Sequence, residues 1–355
     1  MFNFHSPLNF TSIGQSGYNI FRELVKKTDV ALFPINRLNL AIYNLSQEQT
    51  DELNKSLINA DNFSRQDASL KFYHIAGSEE SVSARPNLFT FHETDRLTPF
   101  EVNRLNQNEV VFVSSKYTKQ VFEGGGVTAK VVYCPLGFDS SSFYRIEGIE
   151  KDYITFGLRG KLESRKNTIR ILRAWIKVFG GDPRYRLDCS IHNAFYSNEE
   201  QSALIINSLV DKCLPWNVNI LPYSDSNTLY NKALNYADID LTGMSGCEGF
   251  NLPLFQSLAL GKQAIVLNAH VHKDFCNSEN SILIEPNGMV DAVDGKFFIE
   301  GSKVSQGQWF DFKEKDLIEA MVFAAERGPI RNREGEKLQS WTYENTAKII
   351  LENCK

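Results

Sequence analysis

Short apolar runs alternate along this chain with segments whose apolar positions repeat at helical spacing. Residues 1–5, 30–34, 70–75, 87–91, 110–113 and 131–133 read as strands. Between them, 18–27, 46–60, 99–106 and 116–123 read as helices, the last closed by Gly124-Gly125-Gly126. Residues 6–17 read as a loop carrying Gly14 and Gly17. A polar stretch at 138–152 follows, and then the alternation starts again. Strands are expected at 153–156, 187–192, 218–221, 238–241, 264–267 and 281–284. Helices are expected at 168–179, 198–212, 226–237, 316–327 and 340–352. Residues 286–310 are Gly-rich and irregular, and read as a loop excursion. Strand–helix alternation of this kind implies parallel, helix-covered sheets, here in two successive α/β halves. Open parallel sheets bind ligands at their carboxyl edges, so a cleft between the halves is the expected site.

One stretch stands out within that pattern. Residues 244–267 begin with small and polar positions (Ser245, Gly246, Glu248, Gly249), continue through Pro253 into a helical repeat, and end in Ala264-Ile265-Val266-Leu267. Pro253 suits the first turn of a helix, where its missing N–H costs nothing. Gly261 marks the helix end. The order is loop, helix, strand. Backbone N–H groups and the positive end of a helix dipole therefore converge on one point, a setting for an anion and above all for phosphate. Gln256 lies one turn into that helix, eight residues after Glu248.

A second loop, 157–167, also follows a strand and opens a helix, and it holds Arg159, Lys161, Arg165 and Lys166. A cation near a helix start opposes the dipole and calls for a compensating anion. At 355 residues the chain has room for about two domains. Its net charge of −5 gives no electrostatic footprint for duplex nucleic acid or an anionic membrane. Six cysteines without a Cys-x-x-Cys pair point to reduced, buried thiols. The N-terminus shows no signal-peptide pattern, and no apolar run approaches the ~18 residues of a membrane span. A cytoplasmic protein is the expectation.

Together the two loops resemble the nucleotide-sugar site of glycosyltransferase family 4, the group 1 glycosyl transferases. Gly160-Lys161-Leu162-Glu163-Ser164-Arg165-Lys166-Asn167 is similar to the family's Gly-Arg loop, with Lys161 where Arg is usual. Glu248-Gly249-Phe250-Asn251-Leu252-Pro253 is similar to its Glu-Gly-Phe-Gly-Leu-Pro motif, with Asn251 for the second Gly and Gln256 for the second Glu. Thr90-Phe91-His92-Glu93-Thr94-Asp95-Arg96, Ser114-Ser115 and Pro135-Leu136-Gly137-Phe138-Asp139 extend the resemblance over residues 1–285. It implies the GT-B fold: α/β, two Rossmann-like domains whose parallel sheets face a central cleft. The first, 1–145, would take the acceptor and the second, 146–330, the donor. Residues 331–355 would form a helix crossing back to the first domain.

The implied activity is retaining transfer of a sugar from a UDP- or GDP-sugar to a hydroxyl of a glycan, a small molecule or a modified DNA base. It implies neither a cofactor nor a required metal, with the nucleotide-sugar as co-substrate. The acidic balance disfavours nucleic acid as partner, and oligomeric state is left open. By the same resemblance, Glu248 would hold the donor sugar and the N–H groups of Phe250, Asn251 and Leu252 the diphosphate, with Gly249 in the same loop. Lys166, with Arg159 or Lys161, would stabilise the departing nucleotide, with Arg165 beside them. His92 would stand near the donor sugar, Gly17 would approach the phosphates, and Gln256 would take the ribose position. Glu93 and Asp95 are weaker candidates. Asp238 and Asp240, spaced like a metal pair, are assigned to a strand. His270 and His272 are assigned to a solvated loop. The competing readings are a non-catalytic nucleotide-sugar binding subunit and an inverting GT-B transferase.

Overall fold

The structure, a computed structural model, describes residues 1–354. The first half contains β1 (Phe2–Ser6), α1 (Ser12–Leu24), β2 (Val30–Pro34), α2 (Gln47–Asn59), β3 (Ser69–Phe72), β4 (Asn87–Thr90), α3 (Pro99–Leu105), β5 (Val110–Val113), α4 (Lys116–Gly124) and β6 (Lys130–Tyr133). The second contains β7 (Ile154–Arg159), α5 (Thr168–Phe179), β8 (Tyr185–Ser190), α6 (Asn198–Ser208), β9 (Val218–Ile220), α7 (Asn227–Tyr236), β10 (Ile239–Gly243), α8 (Leu252–Ala259), β11 (Gln263–Leu267), α9 (His272–Phe275) and β12 (Ile282–Ile284). The hairpin β13 (Met289–Asp291) and β14 (Gln308–Phe310) follows, then α10 (Glu314–Arg327), α11 (Arg333–Glu336) and α12 (Tyr343–Asn353).

The strands form two six-stranded sheets, ordered β2-β1-β3-β4-β5-β6 and β12-β11-β10-β7-β8-β9. Every ladder in both is parallel. In the second sheet the chain order reverses between β7 and β10, which lie side by side, Ile239 beside Phe156, although the segment from α5 to α7 separates them in sequence. Such a switch point opens a crevice, because the loops leaving the two strands diverge to opposite faces. Residues 160–167 leave β7 and residues 244–251 leave β10. Topology alone therefore brings the basic loop and the Glu248 loop together.

The start of α1 differs from the expectation. Thr11 caps the helix by accepting from the Gly14 N–H at 3.2 Å, so Gly14 and Gly17 lie inside it rather than in the preceding loop. A Cβ on Gly17 would stand 2.2 Å from Ser6 Oγ and 2.5 Å from the Pro7 carbonyl. Glycine weakens a helix interior by roughly 0.5–1 kcal/mol. Here it lets α1 close on the turn that follows β1. The excursion 286–310 also gains structure, with β13 and β14 pairing antiparallel. Phe298 and Trp309 bury Ala292 and Cys247 in a small core of their own.

The last segment returns to the first half. Phe138 N–H donates to the Trp341 carbonyl at 2.7 Å, Thr346 Oγ1 to the Pro135 carbonyl at 2.7 Å, and α12 packs along α1. Gly137 sits at this crossing, where an added Cβ would lie 2.1 Å from Tyr343 N. Backbone cannot yield there as a flexible side chain would. Gly137→Ala is expected to cost about 1–3 kcal/mol, the range for an overpacked interior. A fall of the urea midpoint with an unchanged slope would register it.

Candidate functional site: two loops around a buried carboxylate

Glu248 is the centre of the site. Its carboxylate is 6 % exposed and pairs with both neighbouring cations, Arg165 Nη1 at 3.0 Å and Lys166 Nζ. Burial by itself would push this carboxyl up, but Lys166 and Arg165 outweigh it and hold Glu248 well below the usual carboxylate range. The loops that carry these groups are stitched by backbone. Gly246 N–H donates to the Arg165 carbonyl at 2.8 Å, and Asn167 Nδ2 to the Met244 carbonyl at 2.9 Å. Asn167 itself has φ 55°, a left-handed conformation that asparagine tolerates.

Arg165 does more than its sequence position announced. Its guanidinium meets three carboxylates: Glu248, Glu163 at 2.9 Å and Glu93 at 3.1 Å. It also donates to the Cys247 carbonyl at 2.9 Å. Glu163 belongs to the same loop, while Glu93 reaches across from the first half. Burial raises the Glu93 carboxyl; Arg165 partly offsets this, and Glu248 and Glu163 add repulsion.

Beside Glu248, the N–H groups of Gly249, Phe250, Asn251 and Leu252 donate no hydrogen bond among the described residues. They end at the N-terminus of α8, so unpaired donors and helix dipole converge. Unpaired buried N–H groups are rare, and an anion satisfies them. Asn251 has φ 67°, which explains why glycine is usual at this position and why asparagine can replace it. Its side chain caps α8 weakly, at 3.4 Å to Leu254 N–H, and donates to His272 Nε2 at 2.9 Å. The Phe250 side chain turns away, into a cluster with Phe255 and Phe275. Gly249 is a contact between the halves: its carbonyl accepts from Ser114 Oγ at 2.7 Å, and a Cβ would lie 2.8 Å from Phe91 Cβ.

Several expected site residues lie elsewhere. Arg159 is turned into the second half, where Nη1 pairs with Asp240 at 2.7 Å in full burial and Nη2 donates to the Ala233 carbonyl. Side chains alternate along a strand, and Arg159 is the last residue of β7, on its inner face. His92 is buried, with its ring against Phe122 and Nε2 donating to the Arg96 carbonyl at 2.9 Å. Gly17 is covered by Ser6 and Pro7. Lys161 stands apart from Glu248, with Nζ 5.2 Å from the Phe195 ring centroid. Gln256, by contrast, keeps its expected place one turn into α8, buried and with no side-chain hydrogen bond among the described residues.

His270 and His272 are not solvated. Their ring centroids lie 4.3 Å apart, the rings tilted by 53°, and both are buried, His270 on the Ser245 carbonyl and His272 on the Leu267 carbonyl. With Nδ1 donating and Nε2 accepting from Asn251, His272 is neutral. Asp238 pairs with Lys151 at 2.6 Å, and no cluster of metal-ligating side chains occurs among the described residues.

No protein-family profile matches this sequence, and no curated protein matches it. Solved structures do. HepE of Anabaena, in complex with UDP-glucose, is similar over 99 % of this chain and 98 % of its own, at 14 % identity and a TM-score of 0.67. Sucrose-phosphate synthase of Thermosynechococcus elongatus is similar over 99 % and 94 %, at 11 % identity and a TM-score of 0.63. The pneumococcal O-GlcNAc transferase GtfA, in complex with UDP and GlcNAc, is similar over 84 % and 59 %, at 12 % identity and a TM-score of 0.55. The fold is GT-B. In GT-B terms, the first and second halves are the two domains that face each other, and the Glu248 loop lies in the second, at their junction.

Two outcomes follow from the placement of the charges. Removing one partner of a buried ion pair costs ~3–5 kcal/mol. Arg159→Ala should therefore lower the melting temperature far more than Lys166→Ala, since Lys166 leaves Glu248 still paired to Arg165. Burial lowers His272 from its ordinary 6.5 to about 4. The unfolded chain therefore takes up this proton first as the pH falls. The resulting stability is complete above pH 6.5 and is lost as the pH drops from 6.5 toward about 4. A series of urea midpoints across that window should slope downward toward acid, and His272→Gln should flatten part of the slope.

Proposed function

We propose that the protein is a retaining glycosyltransferase that moves a sugar from a UDP- or GDP-sugar to a hydroxyl acceptor. The observation that carries this reading is one carboxylate, Glu248, fixed by two cations and adjoining four unpaired N–H groups at a helix N-terminus. A carboxylate has about four acceptor directions. Arg165 and Lys166 occupy two, leaving others for vicinal hydroxyls of a sugar. The N–H groups of 249–252 suit a diphosphate. HepE, of the same fold, is a complex with UDP-glucose, and that supports a nucleotide-sugar donor.

In this reading the bond from the anomeric carbon to the diphosphate oxygen breaks, and its electron pair stays with the nucleotide. Lys166 and the α8 amides stabilise that charge as it develops. The acceptor oxygen bonds to the same face of the anomeric carbon, and its proton passes to the leaving phosphate. The charge stabilisation comes from protein cations and amides, so the reaction is proposed to require no metal. Arg159, held on Asp240, takes no part.

A thermal-shift screen of UDP-, GDP- and ADP-sugars tests the donor, since ligand at a hundredfold excess over its Kd adds ~2.7 kcal/mol to stability. With the donor known, Glu248→Ala and Lys166→Ala should each lower kcat/KM for transfer or donor hydrolysis by about 10²–10³, Lys166 as the loss of a group that stabilises the developing charge and Glu248 as the loss of the sugar's anchor. Activities near wild type in both would sink the proposal. The anomer of the product, read by NMR, checks retention. Gln256→Glu should shift the preference among nucleotides, because a charged acceptor binds ribose hydroxyls more strongly than an amide does.

A further inference from the structure

The ion-pair chain at Glu248 does not end in the domain that carries it. Glu248 Oε2 is held by Arg165 Nη1 at 3.0 Å, and the opposite corner of the same guanidinium holds Glu93 Oε1 at 3.1 Å. Glu93 belongs to the first domain, just beyond β4, while Arg165 and Glu248 belong to the second. A guanidinium is planar and rigid, so a carboxylate on one corner fixes where the others point. Glu163 fixes the Nε edge from within the same loop. Glu93 is the partner that comes from across the cleft. It is also the less enclosed of the three, with 29 % of its side chain exposed against 5 % for Glu163 and 6 % for Glu248.

The neighbouring residue sharpens this. His92 faces away, into the first domain. The segment thus sends its histidine inward and its carboxylate into the cleft. Thr94 and Asp95 pin the same segment to the second domain, Thr94 Oγ1 donating to the Gln306 carbonyl at 2.8 Å and Asp95 Oδ1 accepting from Gln308 N–H at 2.7 Å.

We infer that Glu93 is a positioning residue for the sugar: acting through Arg165, it sets the orientation in which Glu248 receives sugar hydroxyls, so the sugar subsite is complete only when the two domains are together. The inference rests on the reading of Glu248 as the residue that holds the sugar. Its consequence is a division of labour between the parts of the donor. The nucleotide diphosphate meets groups of the second domain, whose α8 amides need nothing from Glu93. The sugar meets a carboxylate whose geometry depends on both domains.

That division supplies the test. Calorimetric titrations of the full chain with UDP and with UDP-glucose are compared for wild type, Glu93→Gln and Glu93→Asp. Glu93→Gln should weaken UDP-glucose about tenfold, within the usual span of coupling between linked sites. It should leave UDP within about twofold, a change smaller than the tenfold step that 1.4 kcal/mol produces. Glu93→Asp, which keeps the charge, should recover part of the loss. A fold defect would weaken both ligands together, and that result overturns the inference, as does an unchanged UDP-glucose affinity in Glu93→Gln. Failure of the underlying reading looks different: wild type would bind neither ligand, or would bind UDP-glucose no differently from UDP.

Discussion

The site depends on one buried charge balance. Glu248 could not remain ionised at 6 % exposure without compensation, because desolvating a lone carboxylate is far too costly and the group would take up a proton instead. Lys166 and Arg165 supply the compensation, and they can do so only because β7 and β10 are neighbours in the sheet. The switch in strand order is what makes a basic loop and an acidic loop adjacent. Arg165 in turn is surrounded by three carboxylates, so the cluster carries more negative than positive charge. Glu248 and Glu93 share one guanidinium yet are driven in opposite directions: Lys166 and Arg165 together overcome burial at Glu248, whereas at Glu93 burial dominates, Arg165 offsets only part of it, and Glu248 and Glu163 add repulsion.

A GT-B fold carries many chemistries, and the likeness to solved structures at 11–14 % identity speaks to the fold alone. What narrows the chemistry is local. Arg165 and Lys166 come from consecutive positions within a single turn of tight helix, Ser164–Lys166, and still reach the two oxygens of one carboxylate. The left-handed Asn167 that ends this turn makes that possible, by redirecting the chain into α5 while its own amide grips the opposite loop. Asn251 does the corresponding work on the other side: it is left-handed, it starts α8, and its amide is tied to a buried neutral histidine. Two asparagines at positive φ thus frame the site. Their side chains give each loop an anchor that glycine could not provide.

Much of this was legible in the sequence. Apolar runs of four or five residues gave away both sheets, because strands covered on two faces leave little ambiguity of pattern. The Glu248 loop and Lys166 were legible because each combines a turn, a charge and a helix start. Other features were not. Arg159 and Lys161 flank the same glycine, and nothing in their order tells which one a strand turns inward; Asp240, 81 residues away, decides it. Glu93 and His92 are adjacent, and nothing in their order tells which of the two meets Arg165 across the cleft. Glycines inside α1 look like loop residues until the close approach of Ser6 and Pro7 is seen. The paired histidines 270 and 272 read as part of a solvated loop because burial of the neutral His272 imidazole depends on the amide of Asn251. In each case the missing information was a long-range contact.

The hairpin excursion adds a second set of attachments between the domains, distinct from those of the interdomain linker. Gln306, Gln308, Lys303 and Ser305 bond to Thr94, Asp95, Thr98 and Glu101 at 2.6–2.9 Å. On the linker side, Tyr144 and Ile146 are tied to Asn231 and Asn235 of α7. A linker and a seam together restrain the two domains more than a linker alone. The cleft cannot gape by bending the linker while those bonds hold. At roughly 0.5–1.5 kcal/mol net for each bond, unfastening the seam adds a few kcal/mol to any opening of the cleft.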